Sequence, residues 1–199
     1  MRTVAAFDFD GTITRKDTLL EFIKFSRGKK AFYMGFLSHL PMLLAYRIGL
    51  YPNWKAKQVI MKHFFKGEPL NEFNLMCEEF FKVKGEWLLY KSAVTKIQEY
   101  LAKGIEVIII TASAENWVSP FARYLGVKFV AGTKMEIDRE NRITGKFLTA
   151  NCYGKEKVNR ILELFPERTN YYLVVYGDSK GDKELLEIAN ESYYKLFNL

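Results

Sequence analysis

The stretch Thr3-Val4-Ala5-Ala6-Phe7-Asp8-Phe9-Asp10-Gly11-Thr12 opens as a short apolar run rich in β-formers and stops at a glycine. It reads as a buried strand. Side chains alternate along a strand, which sends Asp8 and Asp10 to one face while Phe9 points into the core. Two anions held that close repel each other, and burial worsens the repulsion. The simplest compensation is a hard divalent cation with oxygen ligands. The end of a first strand is also where ligands bind in an open α/β sheet. The competing reading is a strand end that carries two solvated aspartates.

Outward from this strand, helical spacing takes over from Thr18 to Lys82, punctuated by Gly28, Pro41, Gly49, Pro52, Gly67 and Pro69. After Gly85 an alternation of helices and strands resumes. Helices are expected over Lys91–Lys103, Glu115–Leu125, Lys155–Phe165 and Asp182–Ala189. Strands are expected over Ile105–Ile110, Val127–Ala131, Tyr171–Tyr176 and Tyr193–Phe197, with a hairpin over Lys134–Leu148 turning through Asp138–Asn141. Such alternation implies an α/β fold, a Rossmann-like parallel sheet with helices on both faces. The helical segment is then an insertion. The expected division is a discontinuous core of residues 1–14 and 88–199 and a helical cap of residues 15–87.

With 199 residues, 49% of them hydrophobic and 27% charged, the chain can bury a full core. Cys77 and Cys152 are far apart and form no C-x-x-C, which argues against a disulfide framework or a zinc site. They fit a reduced, cytoplasmic setting, and with a first strand starting at Thr3 no signal peptide is expected. The isolated His39 and His63 read as structural or surface residues. The formal charge of +7 is unevenly placed. Arg15 to Lys66 holds eleven Lys and Arg against Asp17 and Glu21, a balance of +9 that leaves −2 for the remainder. A localised basic field attracts anionic ligands, anionic lipid or nucleic acid.

Within this basic segment, Ala31 to Tyr46 is sixteen residues without Lys, Arg, Asp or Glu. It is short of the roughly twenty apolar residues of a membrane span, and it contains His39 and Pro41. Two readings stand. One is a cap helix buried against its neighbours or in a homodimer contact. The other is a peripheral surface that dips into an anionic membrane, with Lys29, Lys30, Arg47, Lys55 and Lys57 as headgroup partners.

Four separated segments fall at or just beyond the C-terminal ends of expected strands and fit together as one site. They are Asp8-Phe9-Asp10-Gly11-Thr12, Ile110-Thr111-Ala112-Ser113, Tyr153-Gly154-Lys155-Glu156-Lys157 and Gly177-Asp178-Ser179-Lys180-Gly181-Asp182. In this order they resemble the haloacid dehalogenase-like phosphohydrolase superfamily. The run Thr111 to Glu115, Gly132-Thr133, Thr144-Gly145 and Cys152 to Lys157 is similar to its IB subfamily, which holds phosphoserine phosphatase-like enzymes and C-type phosphatidylglycerophosphate phosphatases.

The resemblance implies a Mg²⁺-dependent phosphatase that hydrolyses a phosphate monoester through an aspartyl-phosphate. Asp8 matches the nucleophile, and Asp10 the general acid that protonates the leaving oxygen and then activates water. Thr111 and a lysine match the groups that bind the transferring phosphoryl oxygens. Lys155 and Lys157 are two apart and cannot both face the site. Lys157 is favoured, because Lys-Val followed by Ile161-Leu162 fits the family pattern. Asp178 matches a Mg²⁺ ligand, joined by the Asp8 carboxylate and the Asp10 backbone carbonyl, with Asp182 as a supporting or water-mediated acid. Gly11, Thr12, Ala112 and Asp17 are the expected substrate-binding positions, while Ser179 and Lys180 are expected to fill the loop.

Asp10 also separates reaction classes, because dehalogenases of the superfamily lack a second aspartate and need no metal. Asp17 stands where phosphoserine phosphatases carry a Glu for the substrate amine. It equally suits the N-terminus of a helix at Asp17-Thr18. The arginine that binds the serine carboxylate in those enzymes has no counterpart near Glu68 to Phe81. The basic, apolar cap resembles that of the lipid-phosphate members, which implies a lipid headgroup phosphate as substrate. The alternative is a small soluble phosphoserine-like or phosphocholine-like ester. A non-catalytic binder of anions or nucleic acid is a remote third reading. No RNA or DNA module is recognisable, and the acids would have no role there.

Overall fold

A computed structural model describes residues 2–197. Met1, Asn198 and Leu199, at the two ends of the expected core, lie outside the described residues. Strand β1 (Arg2–Phe7) is followed by helices α1 (Thr18–Ser38), α2 (Leu40–Arg47), α3 (Asn53–Phe65), α4 (Leu70–Leu88) and α5 (Lys91–Ala102). Then come β2 (Glu106–Ala114), α6 (Glu115–Leu125), β3 (Phe129–Thr133), β4 (Met135–Ile137) and β5 (Ile143–Phe147). The chain closes with α7 (Lys155–Leu164), β6 (Tyr171–Gly177), α8 (Lys183–Glu187) and β7 (Glu191–Tyr194).

Five strands form one sheet in the order β3-β2-β1-β6-β7, every neighbouring pair parallel. Alternate β1 residues serve opposite faces. Ala5 and Phe7 join a core with α5 and α6, whereas Val4 and Ala6 pack with Ile161 of α7 and Leu185 of α8. Both faces are covered, which is why these strands read as nearly continuous apolar runs.

The first of these cores continues without a break into α1, α3 and α4. Phe22 of α1 sits at its centre, with ring centroids 5.3–5.6 Å from Phe65, Phe73, Phe80 and Trp117. The chain leaves and re-enters the sheet side by side. Arg15 N–H donates to the Leu88 carbonyl at 2.8 Å, and Tyr90 N–H donates to the Ile13 carbonyl at 2.9 Å. The β4–β5 hairpin clasps the inserted helices from the other side, pairing Gly67 and Glu68 with Ile143 at 2.8 and 2.9 Å.

Three local expectations need correction. The last strand is Glu191–Tyr194 rather than Tyr193–Phe197. Asn190 fixes it earlier, because its backbone N–H donates to the Leu173 carbonyl while its side chain accepts the Leu173 N–H. Strand β2 runs on to Ala114, past the expected end at Ile110, with its register against β3 shifting between those residues. Thr111 therefore lies on a strand extension rather than in a loop.

The uncharged run Ala31–Tyr46 is not one helix either. Gly28 breaks α1 with φ 81°, and nothing lies near enough to hinder a side chain there, so backbone freedom rather than space makes glycine suitable. α1 then ends at Ser38 and α2 starts with Pro41 in its first turn, a position where proline is tolerated. No residue of α2 is buried, so the reading as a buried cap helix does not hold for it.

The aromatic cluster yields a stability test. Phe22→Ala removes a fully buried ring from the centre of the shared core and should lower unfolding free energy by about 3–5 kcal/mol. Urea denaturation reads this directly. A loss below about 1 kcal/mol would mean that the inserted helices do not share the core of the sheet.

Candidate active site

The C-terminal ends of β1, β2 and β6 and the start of α7 converge on one cavity of ≈ 780 Å³. Asp8 follows β1, and its N–H extends the sheet by donating to the Tyr176 carbonyl at 2.9 Å. Gly11 turns the chain immediately afterwards with φ 84°. A Cβ there would fall 2.2 Å from Asp178 Oδ2, so this glycine lets the first loop lie directly against the carboxylate contributed from β6.

Lys157, in the first turn of α7, is almost wholly buried and forms ion pairs with Asp8 and Asp182. Lys155 is exposed. Burial works against the Lys157 charge, but the two carboxylates outweigh it and hold the ammonium above its ordinary pKa. Asp182 Oδ1 accepts from Lys157 at 2.5 Å. Its Oδ2 accepts from Ser179 N–H and Oγ–H at 2.9 Å each and from Asp178 N–H at 3.2 Å. Despite burial, these partners hold the Asp182 carboxyl below its ordinary pKa. Ser179 is therefore no loop filler, since it caps the following turn and orients Asp182.

Asp8 has the opposite balance. Burial, only partly offset by Lys157 and reinforced by Asp182 and Asp10, pushes its carboxyl up to about 8. Burial and Asp182 also raise Asp178, and Asp178 Oδ1 is buried without a hydrogen-bond partner. Carboxylate oxygens of Asp8, Asp178 and Asp182 lie within 4.8 Å of one another. An unpartnered buried oxygen within such a cluster fits a hard cation such as Mg²⁺. Asp182 already spends both oxygens on protein donors, so of the three carboxylates it has the least left to offer a cation.

Asp10 accepts three hydrogen bonds: from Thr18 N–H at 2.7 Å, Thr18 Oγ–H at 2.6 Å and Ser113 Oγ–H at 2.5 Å. Trp117 in turn donates to Thr18 Oγ1 at 3.2 Å. Asp10 is thus clamped between α1 and β2. Thr111 lines the cavity and accepts Ser113 N–H at 3.0 Å, so its own hydroxyl proton stays available to a ligand. Asp17 does both things open to it: it caps α1 by accepting Leu20 N–H at 3.1 Å, and it lines the cavity.

Two expected positions are placed differently. The Thr12 side chain is buried in a narrow crevice beside Gly177 and Tyr193, outside the cavity with Asp8, and its Oγ1 has no partner. Gly11 N–H is committed to the Thr14 carbonyl at 2.8 Å; the role visible for Gly11 is its close approach to Asp178. Ala112 lines the cavity, and its carbonyl accepts from Lys57 Nζ at 3.3 Å and from Thr133 Oγ–H at 3.1 Å.

Lys57 corrects the sequence reading most sharply. It does not flank an outer face of the insertion but reaches from α3 into the cavity. Desolvation lowers its pKa while Asp17 and Asp10 work the other way. Its position in a basic helix gave no signal for this, and neither did Thr18 or Ser113. Arg47 and the polar side chains of Asn53, Tyr46 and Tyr153 also line the cavity, and Leu19, Phe36, Leu40, Leu43, Leu44 and Ile60 give it an apolar wall.

A family model described as haloacid dehalogenase-like hydrolase matches residues 5–187. Protein CicA of Caulobacter vibrioides is 36% identical over 194 residues, which covers 98% of this chain and 86% of CicA. A probable phosphatase of Mycobacterium tuberculosis is 26% identical over 213 residues, covering 96% of this chain and 68% of that protein. A solved structure of substrate-bound phosphoserine phosphatase aligns with a TM-score of 0.69 at 14% identity, over 98% of this chain and 86% of that one. That likeness concerns the fold, whereas the family match takes in all four segments around the cavity. The chain belongs to the haloacid dehalogenase-like hydrolases.

Proposed function

We propose that this protein is a Mg²⁺-dependent phosphatase that hydrolyses a phosphate monoester through an aspartyl-phosphate on Asp8. The observation that carries this reading is the convergence of Asp8, Asp178, Lys157 and Thr111 at one end of a single cavity. Asp8 attacks phosphorus, and the bond to the leaving oxygen breaks as the new P–O bond forms. Asp10, oriented by Thr18 and Ser113, gives a proton to that oxygen and later takes one from the water that cleaves the acyl phosphate. Lys157 and the Thr111 hydroxyl face the phosphoryl oxygens, where charge collects. A bound Mg²⁺, held by Asp8, Asp178 and the Asp10 carbonyl, would neutralise further charge there.

The rest of the cavity speaks for the substrate. Asp17 and Lys57 supply one charge of each sign close to the reaction centre, which suits a polar headgroup. The apolar wall on α1 and α2 suits a chain attached to that headgroup. We therefore favour a lipid headgroup phosphate over a small soluble ester, with α1–α4 acting as the cap that supplies these walls.

Asp8→Asn, which keeps the shape and loses the nucleophilic oxygen, should reduce hydrolysis of an aryl phosphate by at least about 10³-fold with the fold intact. A near wild-type rate would refute the covalent route. A second expectation follows from the raised pKa of Asp8, about 8. Below that pH a proton competes with the cation for the same carboxylate, so Mg²⁺ affinity should fall as pH drops from about 8 to about 6. The slope should approach about tenfold per pH unit. Calorimetric titration of Mg²⁺ at several pH values measures it. An affinity flat across this range would contradict Asp8 as a ligand.

A further inference from the structure

The uncharged run from Ala31 to Tyr46 spans the end of α1, a break at His39 and most of α2, and it has two different sides. Phe36, Leu40 and Leu43 form a wall of the cavity that contains Asp8. Tyr33, Met34 and Leu37 are exposed to solvent, and so are Ile48, Leu50 and Trp54 just beyond the run. Exposure reaches 70% at Leu37, 71% at Ile48 and 77% at Leu50, so these side chains have almost no cover. Leu40 and Leu44 belong to both sides, since they line the cavity and are 44% and 54% exposed. Leu40 and Leu44 thus join the exposed apolar side chains to the apolar wall of the cavity that holds Asp8. A large exposed apolar patch of this kind marks an interaction surface rather than ordinary scatter.

The charge around it selects the partner. No Asp or Glu occurs between Glu21 and Glu68, while Lys29, Lys30, Arg47 and Lys55 are all exposed. Two copies meeting through this face would bring like charges together, which disfavours a symmetric dimer. No described helix is long and apolar enough to cross a membrane. Apolar side chains ringed by cations, on helices that cannot span, suit the headgroup region of an anionic bilayer.

We propose that this α1–α2 face docks on an anionic membrane surface, with Leu37, Ile48, Leu50 and Trp54 entering the headgroup layer and the cavity mouth at Leu40 and Leu44 opening onto it. An amphiphilic phosphate would then pass its headgroup to Asp8 while its chain stays against the apolar wall. This delivery rests on the phosphatase reading; the docking itself does not.

The test is flotation of the full-length protein with phosphatidylcholine vesicles, with and without phosphatidylserine, at low and high salt. Hydrolysis of p-nitrophenyl phosphate is measured in parallel. Wild-type protein should float with the anionic vesicles and not the neutral ones, and salt should weaken the binding. Lys29→Glu/Lys30→Glu/Lys55→Glu should weaken it by at least about fivefold for each charge changed. Leu37→Asp/Ile48→Asp/Leu50→Asp should abolish it. None of these six residues lines the cavity, so aryl phosphate hydrolysis should be unchanged and will show that the variants are folded. Absence of wild-type binding to anionic vesicles at low salt would overturn the proposal, as would variants that bind like wild type. A wild-type dimer that the Asp variant renders monomeric in light scattering would also overturn it, by identifying a second copy as the occupant. Vesicle binding without any aryl phosphate hydrolysis would instead remove the phosphatase reading and leave the docking surface standing.

Discussion

One buried ammonium holds the site together. Lys157 reaches from the first turn of α7 between Asp8, at the end of β1, and Asp182, beyond β6. Desolvating three charges is costly, and removing one partner of such a buried arrangement generally costs about 3–5 kcal/mol. The surrounding backbone is built accordingly. Gly11 lets the β1 loop press against Asp178, and Ser179 fixes Asp182 through its hydroxyl and its N–H. Gly154 N–H donates to the Gly181 carbonyl at 2.8 Å and ties the start of α7 to the same loop. Two carboxylates, Asp8 and Asp178, still exceed what one lysine can balance. That residual imbalance, rather than the mere number of acids, is the physical case for a divalent cation.

The same loop geometry links the sheet to the inserted helices. Asp10 is two residues from Asp8, yet its carboxylate is clamped by Thr18 of α1 and Ser113 of β2. Trp117 bonds to Thr18 and also stacks near Phe22, the centre of the aromatic core shared by the sheet and the insertion. A displacement of α1 would therefore be felt at Asp10 through a chain of direct contacts. On the proposed mechanism, the group that must exchange a proton is the one most directly attached to the elements that close over the substrate.

What was legible in the sequence was mainly what is local. Period-two alternation and a terminal glycine were enough to expect the Asp8–Asp10 pair at the end of a strand. The alternation of helices and strands after Gly85 gave the α/β class, and four short segments at strand ends carried the family resemblance that pointed to the acids. Lys157 could be separated from Lys155 by the residues that follow it. What could not be read depends on contacts across many residues. Lys57 belongs to a helix with several lysines, and only the packing of α3 against the β4–β5 hairpin turns this one inward. Ser113 and Thr18 look like ordinary strand-end and helix-start residues until Asp10 lies between them. The run Ala31–Tyr46 has the composition of a buried helix, but the break at His39 divides it between the end of α1 and α2, and α2 buries none of its residues. Thr12 lies beside Asp8 and Asp10 in sequence, but its side chain is buried in a separate crevice.

On the proposed mechanism Asp8 is the carboxylate that takes the phosphoryl group, while Asp10, Lys157 and Asp178 serve it. The most direct measurement is acid quenching during steady-state turnover of an aryl phosphate in Mg²⁺, followed by borohydride trapping and peptide mass spectrometry. Reduction at Asp8, dependent on both substrate and Mg²⁺ and absent at Asp10, is the expected result. Turnover with no modified Asp8 peptide, or with the modification at Asp10, would contradict it.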